Sequence, residues 1–147
     1  MKSTNKVYIQ KEFNHPIQMI YDALTQESMV IQWFGPLEMK TIDCQIDLEI
    51  HGKFSYKIQK QDRSVFRIQG QYLELSPPHK IKFTMYYENL PGTEHLNSLV
   101  TIHLTEKKEK TLLSFIQEFE VEPPNMHDRT ASWNDMFKRL DRQLVIK

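Results

Sequence analysis

HDRTASWNDMFKRLDRQLVI, residues 127–146, predicts one long amphipathic helix at the end of the chain. Its less polar residues recur at spacings of three and four, which places them along one face of an α-helix. They are Thr130, Trp133, Phe137, Leu140 and Leu144. The other faces carry polar and charged residues, namely Arg129, Asn134, Asp135, Lys138, Arg139, Asp141 and Arg142. Because an α-helix rises 1.5 Å per residue, roughly 20 residues span about 30 Å, enough to cross a small sheet.

The segment before this helix has the pattern of antiparallel strands. Between residues 39 and 119, apolar and polar residues alternate with a period of two, which is typical of half-buried strands. The residues expected to face the core from six strands are Ile42, Cys44, Ile46 and Leu48; Phe54, Tyr56 and Ile58; Phe66 and Ile68; Ile81, Phe83, Met85 and Tyr87; Val100, Ile102 and Leu104; and Leu113, Phe115, Gln117 and Phe119. The charged residues 106–110 are expected to form a hairpin turn, and residues 90–93 a loop.

One strand breaks the alternation. Tyr72 continues the face that points to the core, whereas Leu73 and Leu75 fall on the opposite face. Since a glycine inside a strand often marks a bulge, we expect a bulge at or near Gly70.

A strand and two short helices come first in the chain. Residues 7–13 alternate like a strand. Asn14 is expected to cap a first helix, with Pro16 in its first turn, where the missing N–H costs nothing. Ser28 is expected to cap a second helix that ends before Gly35-Pro36.

This order of elements predicts an α+β fold. A curved antiparallel sheet of six to seven strands, wrapped around the long C-terminal helix, is the simplest way to bury all of the apolar faces. We expect residues 1–147 to form a single domain, with any disorder confined to residues 1–6.

Composition excludes several classes of protein. The 147 residues carry 19 Lys and Arg against 19 Asp and Glu, so no concentrated basic face is available for nucleic acid. Cys44 is the single cysteine, which favours a reducing compartment and a cytoplasmic location. The sequence contains no apolar run long enough to span a membrane.

The sequence contains no pattern typical of an enzyme. None of the six histidines pairs with another at the ligand spacing of a helical zinc site, so neither a metal nor a cofactor is expected. A glycine-rich phosphate loop and a nucleophile elbow are also missing from the sequence. His103 is expected to point to solvent. Gln117 shares the face of Phe115 and Phe119, so it is the better candidate for a polar anchor, but a satisfied core or rim amide is the favoured interpretation.

Several motifs, in the same order along nearly the whole chain, resemble the START-like (SRPBCC) superfamily. The similar branch is the one related to the C-terminal domain of the activator of the heat-shock-protein-ninety ATPase. The motifs are Phe13-Asn14-His15-Pro16, Ala23-Leu24-Thr25, Trp33-Phe34-Gly35-Pro36, Asp47-Leu48-Glu49-Ile50-His51-Gly52, Gly70, Tyr72-Leu73-Glu74-Leu75-Ser76-Pro77-Pro78, Thr111 and Ser132-Trp133. Two departures stand out: the family has paired glycines at His51-Gly52, and Gly-Trp at Ser132-Trp133.

The resemblance implies a helix-grip fold with a cavity between the sheet and the long helix. Family members bind lipids, sterols, polyketides or hormones, act as cyclases, or serve as cochaperone-like modules. Fold alone does not choose among these functions. We expect a hydrophobic or amphipathic small molecule, lipid-like or aromatic, to bind in this cavity, and the protein to be a monomer or homodimer.

The residues expected to line this cavity are Trp33, Phe34, Phe54, Tyr56, Phe66, Ile68, Phe83, Met85, Tyr87, Phe115, Gln117, Trp133 and Phe137. An ordinary filled core is the alternative interpretation of the same residues. A second hypothesis is a cochaperone-like partner of a chaperone, with a role in the stress response and an exposed apolar patch at Leu73, Leu75, Leu112 and Ile116. A third, less favoured hypothesis is an enzyme of the cyclase or hydrolase type.

Overall fold

The computed structural model describes residues 5–35, 38–90, 96–123 and 126–145, with the backbone alone at 126 and 127. Residues 1–4 of the segment expected to be disordered and most of the loop at 90–93 lie outside the described residues, whereas Lys6 begins the first strand. The elements, in chain order, are β1 (Lys6–Phe13), α1 (Ile17–Thr25), α2 (Glu27–Trp33), β2 (Lys40–Ile46), β3 (Lys53–Gln59), β4 (Val65–Ser76), β5 (Lys80–Glu88), β6 (Ser98–Lys107), β7 (Lys110–Phe119) and α3 (Met126–Val145).

All seven strands form one curved antiparallel sheet in the order β1-β7-β6-β5-β4-β3-β2. Strands β2 to β7 pair with their neighbours in sequence, and β1 closes the far edge against β7. Helices α1 and α2 therefore carry the chain from one edge of the sheet to the other. This arrangement confirms the expected α+β helix-grip fold.

The core lies between the concave face of the sheet and α3. The helix buries the predicted residues Trp133, Phe137, Leu140 and Leu144, and also Met136. His15 Nε2 lies 3.3 Å from Asp141 Oδ1, so the segment before α1 contacts the C-terminal half of α3. The long helix thus crosses the sheet, as its length predicted.

Strand β2 departs from simple alternation. Its register against β3 shifts between Thr41 and Asp43, so Thr41 turns inward and donates a hydrogen bond from its hydroxyl to the Phe34 carbonyl oxygen at 2.8 Å. The expectation that Ile42 and Leu48 face the core was wrong. Ile42 lies at the irregularity and is 38% exposed, and Leu48 follows the end of the strand and is 44% exposed.

The second irregularity lies in β4, close to the predicted bulge. The register against β5 shifts between Tyr72 and Glu74, which leaves Leu73 exposed and returns Leu75 to the core opposite Ile81. Gly70 itself has another role. A Cβ at this position would lie 1.9 Å from the Thr84 carbonyl oxygen and 2.5 Å from the Phe54 ring. Glycine is needed there because neighbouring atoms approach the backbone closely.

The predicted side-chain caps of the two short helices were wrong. The N-cap residues are Pro16 and Gln26, and neither makes a side-chain capping hydrogen bond. Gln26 alone separates α1 from α2, so the second helix begins before Ser28. The Glu27 carboxylate in its first turn instead accepts a hydrogen bond from the Ile46 backbone N–H at 2.8 Å.

The turn before β3 explains the family's preference for glycine. His51 has φ of 71°, in the left-handed region that favours glycine, and its backbone N–H donates to the Tyr72 carbonyl oxygen at 2.8 Å. A Cβ at Gly52 would lie 2.1 Å from the Asp47 carbonyl oxygen. His51 therefore adopts a backbone conformation that glycine reaches more easily.

Candidate ligand-binding site

A cavity of about 240 Å³ lies between the sheet and the N-terminal half of α3. Its lining residues are mostly apolar: Phe34, Met39, Phe66, Ile68, Met85, Tyr87, Leu90, Asp128, Arg129, Ser132, Trp133 and Met136. The cavity is partly open to solvent. It can therefore admit a small molecule without unfolding of the sheet.

Two strands and one helix supply most of the lining. In β4 and β5, residues two apart point to the same face of the sheet, which explains the pairs Phe66 with Ile68 and Met85 with Tyr87. In α3, positions 129, 132, 133 and 136 are three or four residues apart and share one helical face. The amino-acid pattern of each element thus sets which side chains reach the cavity.

The segment between α2 and β2 is attached to α3 at Gly35. Its backbone N–H lies 3.2 Å from the Met136 sulfur, and its carbonyl oxygen accepts a hydrogen bond from Arg139, which also pairs with Asp135 at 2.8 Å. Gly35 has φ of 148°, and a Cβ there would lie 2.9 Å from the Met39 carbonyl oxygen. These contacts hold Phe34 and Met39 at the cavity wall.

A second cavity of about 20 Å³ lies deeper in the core and has room for about one water molecule. Its lining residues are Leu24, Trp33, Phe34, Tyr56, Tyr72, Ile81, Phe83, Met85, Ile102 and Trp133. Because Phe34, Met85 and Trp133 line both cavities, they form the partition between them.

The structure divides the predicted site residues into three groups. Those around the larger cavity are Phe34, Phe66, Ile68, Met85, Tyr87 and Trp133. Those at the smaller cavity alone are Trp33, Tyr56 and Phe83. Those that line neither cavity are Phe54, Phe115, Gln117 and Phe137. In this last group, Phe115 and Phe137 are fully buried and their ring centroids lie 4.4 and 5.7 Å from that of Trp133, so they support the cavity wall from behind.

Gln117 is almost fully buried and its amide is bonded to protein groups. Its Oε1 accepts a hydrogen bond from Trp133 Nε1 at 3.1 Å, and its Nε2 donates to Ser98 Oγ at 2.9 Å. The same nitrogen lies 3.5 Å from the Met85 sulfur. These bonds connect three strands with α3, and they support the interpretation of Gln117 as a satisfied core amide.

The sequence interpretation missed half of the lining: Met39, Leu90, Asp128, Arg129, Ser132 and Met136. Arg129 was assigned to the polar faces of the helix, and that assignment was wrong. The available signal was its spacing, since Arg129 lies four residues before Trp133 and therefore on the same helical face. Because arginine is charged, its residue type alone placed it on a polar face of the helix.

Several ionisable groups in the core have a raised pKa. Burial, together with the nearby carboxylates of Glu27 and Asp43, raises the pKa of the Cys44 thiol from 9.0 to about 12. Burial likewise raises the pKa of Tyr56 well above 10.0, and raises that of Tyr72. Cys44 is thus a poor nucleophile at neutral pH. In the described ranges, no group of three His, Cys, Asp or Glu residues is placed to hold a metal ion.

The exposed apolar patch expected on the outside of the sheet is not a single surface. Leu75 packs against the core, whereas Leu112 and Ile116 lie on β7. Strands β5 and β6 separate β7 from Leu73 on β4, a distance of about 14 Å at the usual strand spacing.

Among the helices in the described part of the chain, none is both long and apolar enough to cross a membrane.

A seven-stranded antiparallel sheet, a long C-terminal helix across its concave face and a cavity between them define the START-like helix-grip class. A model of the family described as "Activator of Hsp90 ATPase homolog 1-like protein" matches residues 14–144. The chain belongs to this family.

Solved structures with the same fold come from several bacteria. Protein NE0264 from Nitrosomonas europaea has a TM-score of 0.81 at 18% identity, covering 98% of this chain and 96% of that one. A protein from Arthrobacter aurescens has a TM-score of 0.84 at 17% identity, with 100% and 91% covered. A protein from Staphylococcus epidermidis has a TM-score of 0.76 at 22% identity, and the match covers 97% of this chain and 90% of that one. No curated protein matches the chain.

Proposed function

We propose that this protein binds a compact hydrophobic or amphipathic molecule in the larger cavity. The observation that carries the proposal is the cavity itself, with the rings of Phe66 and Trp133 and the side chains of Ile68 and Met85 on its walls. Its volume of about 240 Å³ is just below the usual range of roughly 300–1,000 Å³ for ligand pockets. This size favours a small aromatic or short aliphatic compound over a sterol or a long-chain lipid.

The apolar walls supply the affinity. Burial of apolar surface contributes about 25 cal/mol per Å², so a ligand that buries about 200 Å² would gain about 5 kcal/mol before the costs of association. The walls are already held in place by Gly35, Gln117 and the aromatic cluster behind Trp133. A preformed site lowers the entropy cost of binding.

The first experiment fills the cavity from the helix side. Ser132 is half-buried and lines the cavity, so Ser132→Phe is expected to occupy the space without disturbing the sheet. We expect compact aromatic ligands to raise the melting temperature and change the tryptophan fluorescence of the wild type, since Trp133 lies in the wall. In Ser132→Phe both responses should be lost.

Asn134→Phe is the matched control, because Asn134 is exposed on the same helix and lines neither cavity. This variant should respond to ligand like the wild type. Equal ligand responses in Ser132→Phe and the wild type would place binding elsewhere. No response of the wild type to a broad panel of aromatic and aliphatic compounds would contradict the proposal as a whole.

Stimulation of a chaperone ATPase is a second candidate, favoured by the family's relation to activators of the Hsp90 ATPase. A suitable contact surface on the outside of the sheet is the pair Tyr8 and Ile116, which lie opposite each other on β1 and β7. Tyr8 is 57% exposed. The test is the ATPase rate of the Hsp90 chaperone with and without this protein, and with Tyr8→Glu. Stimulation that Tyr8→Glu abolishes would support this candidate, and an unchanged rate would exclude it.

A further inference from the structure

Arg129 gives the cavity wall one fixed positive charge. Its side chain is half-buried, and its Nη1 donates a hydrogen bond to the Tyr87 hydroxyl oxygen at 3.2 Å. The guanidinium carbon lies 5.3 Å from the ring centroid of Phe119 and 6.0 Å from that of Tyr87. Two aromatic rings and one hydrogen bond therefore hold the guanidinium in place beside the cavity.

One donor of this guanidinium lacks a partner in the described part of the chain. The Nε atom of Arg129 is buried and has no hydrogen-bond partner among the described residues. None of the ion pairs in this part of the chain involves Arg129, and the neighbouring carboxylate of Asp128 is exposed. A buried donor without an acceptor is costly, so a native protein is expected to provide one at some stage of its function.

The free Nε–H and the positive charge match a ligand group that carries negatively charged oxygens. A guanidinium presents its N–H groups in a planar fork that fits the two oxygens of a carboxylate. Lysine would not provide this fork, and a neutral ligand would leave the positive charge without a partner. An apolar cavity next to a fixed guanidinium is therefore complementary to an apolar acid.

We propose that the natural ligand is a compact amphipathic carboxylic acid whose carboxylate is bound by Arg129. Its apolar part lies against Phe66, Ile68 and Trp133, and Tyr87 positions the guanidinium. This inference rests on the proposed function of the larger cavity, and it adds the chemical class of the ligand.

The experiment compares each acid with its own uncharged amide. The probes are benzoic, phenylacetic and cinnamic acids and the three corresponding amides, with affinities measured by calorimetry and tryptophan fluorescence. We expect at least one acid to bind the wild type about tenfold or more tightly than its amide, because a charge-assisted bidentate pair is lost in the amide. In Arg129→Gln this preference should disappear while the affinity for the amide stays within about twofold.

Two further variants separate the role of Arg129 from general effects. Arg129→Lys keeps the charge but not the fork, and we expect it to retain only part of the preference for acids. Arg142→Gln removes an exposed arginine from the last turn of the same helix and should bind like the wild type. The melting temperature of each variant without ligand verifies that it is folded.

The outcomes distinguish this inference from the proposal on which it rests. Equal affinity for acids and amides, or an acid preference that survives in Arg129→Gln, would overturn the carboxylate inference and leave the binding function standing. If neither acids nor amides nor any neutral compound binds the wild type, both are overturned.

Discussion

Gln117 and Arg129 are polar side chains next to the core, and their hydrogen bonds differ. Gln117 has protein partners for both ends of its amide, so its role is to join the sheet to Trp133 on the long helix. Arg129 makes one hydrogen bond, to Tyr87, and its buried Nε has no hydrogen-bond partner among the described residues. A buried polar group stabilises the fold when it is hydrogen-bonded and destabilises it when it is not. We therefore assign a structural role to Gln117 and ligand recognition to Arg129.

At the scale of single residues, we predict that Gln117→Leu destabilises the protein by about 1–3 kcal/mol. Leucine fills a similar space but removes the acceptor of the Trp133 indole N–H and the donor to Ser98. Denaturant unfolding measures the change. Gln10→Leu, at an exposed position on β1, is the control and should change the free energy of unfolding by less than about 0.5 kcal/mol. A similarly small loss in Gln117→Leu would mean that the buried amide is dispensable.

At the scale of elements, irregular positions in two strands decide which side chains reach the core. The shift in β2 replaces Ile42 with Thr41 as the inward residue, and the shift in β4 returns Leu75 to the core. A one-residue shift moves every later side chain to the other face of the sheet. Alternation in the sequence therefore predicts a strand reliably. Beyond a bulge, however, it no longer predicts which side chains face the core.

The second prediction concerns β4, where Gly70→Ala should cost about 1–3 kcal/mol of stability, near the upper end of that range. The added methyl group would overlap the backbone oxygen of Thr84, which cannot rotate away as a flexible side chain could. Thermal and denaturant unfolding would measure the loss. Gln69→Ala is the neighbouring control, because its side chain bonds to the exposed Glu88 and should change stability little. Wild-type stability in Gly70→Ala would contradict the close approach that we describe.

At the scale of the whole molecule, the stability of the fold depends on keeping several acids protonated. Burial raises the pKa of Cys44, Tyr21, Tyr56 and Tyr72 in the folded protein. The unfolded chain loses these protons at the ordinary values of 9.0 for the thiol and 10.0 for the phenols, while the folded protein retains them. The free energy of unfolding must then decrease as pH rises through this range, because the unfolded state binds fewer protons.

We therefore predict that these groups leave the free energy of unfolding unchanged up to pH 9.0 and decrease it progressively above that pH. Each group contributes a slope of at most about 1.4 kcal/mol per pH unit. Denaturant unfolding over a pH series between about 7 and 11 provides the measurement. In Cys44→Ala the decrease should begin nearer 10.0, where the tyrosines ionise. An unchanged onset in this variant would show that the thiol does not contribute.

The sequence by itself determined the order of the elements, the antiparallel sheet and the long C-terminal helix. It could do so because periods of two and of three to four residues report which faces of strands and helices are apolar. Only the tertiary structure decided that Arg129 lies at the cavity, that Gln117 is bonded within the core, and that β2 carries a bulge. These features depend on contacts between residues far apart in the chain, and such contacts leave no local period in the sequence.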